Sequence, residues 1–165
     1  MSFRQNGATL VELVITIVII SVAVAGVVGA FSLIASRSAD PLNQTRAVEL
    51  AQLYMDEIIS KKYDENTPQG GQPKYTGACN IGDDGAETRA TYDDVDDYNE
   101  INAEAPRSAV GSLNGYTGFA VTVTVQCAGD DPGVGLPASE AKRIDLTIVI
   151  PGGDNFVFTA YKANF

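Results

Sequence analysis

The sequence predicts an α+β fold in which a long apolar N-terminal helix is followed by a helical half that packs on an antiparallel β-sheet. Three observations carry this. Residues Leu13 to Ala35 read LVITIVIISVAVAGVVGAFSLIA, without a charge. Apolar residues then recur at helical spacing between Ala47 and Ile59, and three late stretches alternate apolar with polar residues.

The first stretch carries only Thr16, Ser21 and Ser32 as polar interruptions. At a rise of about 1.5 Å per residue it makes a helix of roughly 35 Å, enough to cross a hydrocarbon core of about 30 Å. The chain after Ser36 is polar and acidic and is expected to form the soluble part.

Asp40-Pro41 reads as an N-cap followed by proline at a first helical position, so a new helical segment is expected there after a kink or short break. Through Lys61, Val48, Ala51, Met55, Ile58 and Ile59 fall on one broad face, with Ala47, Leu50 and Tyr54 beside them. Arg46, Glu49, Gln52, Asp56, Glu57 and Lys61 line the opposite side, and Leu53 lies toward it. Pro68, Gly70, Gly71, Pro73 and Gly77 then make a loop-rich connection to Cys79.

In Phe119–Cys127, residues Phe119, Val121, Val123, Val125 and Cys127 share one strand face. Arg143 to Ile150 repeats the pattern with Ile144, Leu146, Ile148 and Ile150. Phe156 to Tyr161 follows the turn residues Pro151-Gly152-Gly153-Asp154-Asn155, so the last two strands read as a hairpin in a sheet with the first.

The net charge is -10 and there is no histidine. No basic stripe is available for nucleic acid phosphates. The commonest general base and transition-metal ligand is missing, and no nucleophile motif or phosphate-binding glycine loop supports an enzyme. Cys79 and Cys127 are expected to pair if the soluble part is exported, because a zinc site would want more ligands. Such a bridge would staple the middle region to the sheet and contribute about 4 kcal/mol in the chain-entropy picture. Asp93, Asp94, Asp96, Asp97 and Asn99, with Glu100, gather hard oxygen donors in one stretch. That stretch reads either as a solvated acidic surface or as a calcium site, and its spacing is not that of an EF-hand.

The N-terminus admits an ordinary secretory signal, with Arg4 as the basic flank and Ala23-Val24-Ala25 before Gly26 as a cleavage site. The apolar run continues past that point, and Glu12 sits where a signal has plain hydrophobes. A plain signal anchor explains the length but not Glu12. A carboxylate there costs up to about 3 kcal/mol at mid-membrane unless a partner meets it.

Gln5-Asn6-Gly7 followed by Ala8-Thr9-Leu10-Val11-Glu12-Leu13-Val14-Ile15 resembles the processing site of type IV prepilins and pseudopilins. The resemblance implies cleavage by a prepilin peptidase between Gly7 and Ala8, and methylation of the new amino terminus at Ala8. It also implies that Glu12 compensates the amino terminus of a neighbouring subunit during assembly. Asn6 stands where that family more often has a base, Ala8 where it more often has phenylalanine, and Gly26 and Gly29 occur where many major pilins carry a proline.

Ala51–Asp64 and Tyr92–Asn99 are further similar to the MshD-type minor pilins of the mannose-sensitive haemagglutinin (MSHA) pilus system. A type II secretion pseudopilin would share the same front end. The implied organisation is a leader over 1–7, a transmembrane assembly helix over 8–35, its amphipathic continuation over 36–62 and a periplasmic globular domain over 63–165. The implied partners are other pilin subunits, the prepilin peptidase and the inner-membrane assembly platform, with a pilus or a periplasmic pseudopilus as destination. No cofactor beyond the calcium reading is expected.

Overall fold

The computed structural model describes residues 9–37, 39–68, 70–82, 85 and 87–165, with only the backbone for 35–37, 39 and 40. The chain divides into two compact units, Met1–Leu42 and Asn43–Phe165.

The first unit contains helix α1, Leu10–Arg37. Its stretch Leu10–Ile34 is long and apolar enough to cross a membrane. The hydroxyls of Thr16 and Ser21 do not interrupt the helix, because Thr16 donates to the Glu12 carbonyl at 2.6 Å and Ser21 to the Ile17 carbonyl at 2.7 Å. Polar groups satisfied within the helix are what an apolar solvent requires. Large apolar side chains are exposed all the way round α1, among them Leu13, Val14, Ile15 and Ile17, rather than along one stripe.

Helix α2, Ala39–Ile59, starts one residue before the expected Asp40-Pro41 cap, and the Asp40 side chain lies outside the described residues. From Asn43 onward α2 belongs to the second unit. Ala47, Leu50, Ala51, Tyr54 and Ile58 form its buried face. That stripe is narrower than the sequence reading: Val48 and Ile59 are exposed, since each lies about 100° round the helix from a residue at the centre of the contact. The helix also ends before Lys61. The Ile59 carbonyl accepts a hydrogen bond from Lys162 Nζ at 2.8 Å, and Lys62 N–H donates to the Asp93 carbonyl at 3.2 Å, so the chain leaves helical pairing.

Three antiparallel strands follow in the order β3-β4-β5: β3 Ala120–Cys127, β4 Ala141–Val149 and β5 Asn155–Ala163. The register sets Val121 opposite Ile148, Val123 opposite Leu146 and Val125 opposite Ile144. On the other side Leu146 faces Phe158 and Ile148 faces Phe156. These residues join the buried face of α2 in one core. The β4–β5 turn uses Gly152 and Gly153 at φ 113° and 95°, values open to glycine and closed to most residues.

The middle region, where the sequence has no periodic signal, holds a 3-10 turn at Asp96–Glu100 and a small ribbon of β1 Arg107–Ser108 with β2 Gly111–Ser112. Its chain also covers the outer edge of β3. Glu104 and Val121 exchange backbone hydrogen bonds of 3.0 and 2.8 Å, Val123 N–H donates to the Ile101 carbonyl at 2.9 Å, and Val125 N–H donates to Asn99 Oδ1 at 2.9 Å. An edge satisfied in this way is closed to stray strand pairing.

Candidate functional site

Thr9 and Glu12 stand at the start of α1 in a reciprocal arrangement. Glu12 N–H donates to Thr9 Oγ1 at 3.3 Å, and Thr9 N–H donates to Glu12 Oε2 over a longer 3.5 Å. This is a capping box, which satisfies two of the orphan donors that every helix N-terminus carries. The Glu12 carboxylate therefore has a partner within its own helix, a role the sequence reading overlooks although Thr-Leu-Val-Glu spells it. Gly7 and Ala8 lie outside the described residues.

In the second unit, Cys79 and Cys127 are joined by a disulfide with a Cα–Cα distance of 6.1 Å. It links the middle loop to the last residue of β3.

The centre of the acidic stretch is not a solvated surface. Asp94, Asp96 and Asp97 are 1%, 2% and 3% exposed, and each carboxylate has its own task. Asp97 Oδ2 accepts the backbone N–H groups of Asp93 and Asp94 at 2.8 and 3.0 Å. Asp94 Oδ1 accepts those of Asp96 and Asp97 at 2.9 and 3.3 Å. Asp96 pairs with Lys142 Nζ, which lies 3.8 Å from Asp64 and 4.8 Å from the centre of the Tyr63 ring. Asn99 is turned to the edge of β3. The five donors singled out from sequence thus face different partners, and Asp93 and Asp94 instead come together with Glu65.

Burial, reinforced by the charges of Asp96 and Asp97, pushes the Asp94 carboxyl up to about 7. Asp93 moves the other way, held down chiefly by its hydrogen bond from Lys62 Nζ at 2.6 Å.

Lys142 is fully buried, and sequence reasoning misses it. The signal is present: it lies two residues before Ile144, on the inward parity of β4, so the strand alternation already aims an ammonium at the core. Glu57 is a second correction. The helical pattern puts it on the polar side of α2, yet it accepts both arms of Arg89 at 2.6 and 2.8 Å and a hydrogen bond from the Tyr98 hydroxyl at 2.9 Å.

Residues 2–28 match the family model described as the prokaryotic N-terminal methylation motif. The matched segment includes Gly7, Ala8 and Glu12 and most of the apolar helix. The chain thus carries the N-terminal signature of type IV pilin-like proteins that a prepilin peptidase processes. With the apolar helix α1, that signature fits a membrane-anchored pilin-like chain. No curated protein and no solved structure matches the chain significantly.

Proposed function

We propose that this chain is a structural subunit of a type IV pilus, of the minor-pilin kind, and closest in character to the MSHA system. It would be cut between Gly7 and Ala8, and methylated at Ala8. Before assembly it would sit in the inner membrane with the second unit in the periplasm, and it would then enter a filament through α1 by way of the assembly platform.

The observation that supports this best is Glu12 lying within the matched motif and in the first turn of α1, directly before the uncharged run that begins at Leu13. Capping Thr9 N–H gives Glu12 no cation, and within a membrane-spanning helix a carboxylate would be best satisfied by a full positive charge. The amino terminus that cleavage would create on a neighbouring subunit supplies one. The disulfide suits an exported domain.

Mass spectrometry of the chain co-expressed with a prepilin peptidase tests the reading. A product starting at Ala8, with the mass of one added methyl group, is the expected result. A full-length product, or one starting at Gly26, would overturn it. Quantifying the subunit against the main protein of purified filaments separates a minor component from the shaft.

A further inference from the structure

We propose that Glu65, Asp93 and Asp94 form a binding site for a hard divalent cation of the calcium class. One carboxylate oxygen from each lies within 4.8 Å of the other two. Sequence spacing hides the cluster, because Glu65 is contributed by the chain just after α2 and the two aspartates by the segment ahead of the 3-10 turn. A parallel bridge between Lys62 and Asp94 brings these segments together.

A second observation points to a ligand. Asp94 is 1% exposed, and while its Oδ1 accepts two backbone N–H groups, its Oδ2 is enclosed without a hydrogen-bond partner. The Asp93 side chain is 44% exposed and its Oδ2 takes Lys62, but its Oδ1 is likewise enclosed without a hydrogen-bond partner. Two adjacent buried acceptors with no donor are unfavourable, and native structures rarely tolerate them. A hard cation satisfies several carboxylate oxygens at once, which no single N–H can do.

Charge favours a divalent ion. Lys62 Nζ lies 2.6 Å from Asp93 and 4.0 Å from Glu65, so the acidic groups of the cluster outnumber the ammonium that pairs with them. The neighbouring acids are already engaged, Asp96 by Lys142 and Asp97 by backbone N–H groups. The Glu65 side chain is 45% exposed, so water can complete the coordination from that side. Donors that are all oxygen exclude a preference for soft metals. Three protein carboxylates with water otherwise correspond to the weaker, extracellular range of affinity, about 0.1 to 1 mM.

Thermal melting of the full chain in detergent, stripped with chelator and titrated with calcium chloride, tests the proposal. Sodium chloride of equal ionic strength is the control. A rise of about 5 °C at saturating calcium is expected for the unaltered chain. Asp94→Asn keeps the acceptor for the Asp96 and Asp97 N–H groups but should lose the rise, and so should Glu65→Gln at a half-exposed position where folding is not at stake. Lys62→Gln removes the competing ammonium and should bring the midpoint to lower calcium. A rise no greater than with sodium, or one undiminished in both Asp94→Asn and Glu65→Gln, would overturn the site.

Discussion

Arg89 grips Glu57 through two parallel hydrogen bonds of 2.6 and 2.8 Å, and it does so among three tyrosine rings. The guanidinium carbon lies 4.6 Å from the centre of Tyr98, 5.5 Å from Tyr54 and 5.7 Å from Tyr92. A planar fork meets a carboxylate while its faces meet aromatic rings, a combination open to arginine and not to lysine. The contact ties the irregular middle region to α2, where Glu57 and Tyr54 reside.

Replacement of Arg89 should therefore be costly even when charge is kept. Arg89→Lys is expected to lower unfolding free energy by roughly 1–3 kcal/mol, through loss of one charge-assisted hydrogen bond and of the stacking. Arg89→Met, which leaves Glu57 without its cation, should cost about 3–5 kcal/mol. Urea unfolding followed by tyrosine fluorescence measures both, and equal stability of Arg89→Lys and the unaltered chain would contradict the bidentate role.

Lys142 makes a sharper case because it has no exposure at all. Lys142→Met should destabilise by about 3–5 kcal/mol, since Asp96 and Asp64 are then buried without a cation. Adding Asp96→Asn to that variant should restore part of the loss. A double-mutant cycle in which the two changes simply add would show that the pair does not interact.

On the outer face of the sheet, Asp131 Oδ2 accepts hydrogen bonds from the Tyr161 hydroxyl at 2.9 Å and from Arg143 at 2.6 Å. These two, the tyrosine foremost, hold its carboxyl below the ordinary carboxylate value. A depressed folded-state value means that the contribution is present above the unfolded value and is lost as pH falls through the folded one. An NMR titration should show Asp131 titrating below its unfolded value, and Tyr161→Phe should move it upward. No movement in that variant would refute the tyrosine as the main cause.

Thr9 and Glu12 allow capping to be separated from assembly. Thr9→Val removes one half of the capping box and should reduce filament incorporation little. Glu12→Val should preserve membrane insertion and cleavage yet impair incorporation strongly. Immunoblots of sheared filaments against membrane fractions provide the measurement, and normal incorporation of Glu12→Val would count against the proposed charge pairing.

How far the fold is legible in the sequence varies with the kind of interaction that builds each part. The strands around Val123, Leu146 and Phe158 can be read closely, because burial on one face writes period-two alternation directly. The apolar helix is equally plain. The edge cover over β3 is not, because Asn99, Ile101 and Glu104 act through isolated backbone and amide bonds that leave no repeat. The acidic stretch is visible as a group of charges but not as buried ones. Its partners Lys62, Lys142 and Glu65 come from other parts of the chain, and pairing at such separation is invisible to local pattern. Glu12 stands out for its chemistry, which draws attention away from its local role with Thr9, three residues before it.

The bond between Cys79 and Cys127, 48 residues apart, closes a covalent ring that holds Arg89, the acidic stretch and all of β3. Within that ring lie exposed loop positions such as Val110, where proteases attack most readily. A single cut there opens the ring without parting the chain, so the nicked subunit keeps its connection to α1 on one side and to β4 and β5 on the other. Such a molecule runs as one species on a gel without reductant and as two with it. Were the subunit displayed outside the cell, as proposed above, damage to its most irregular surface would not become loss of the subunit.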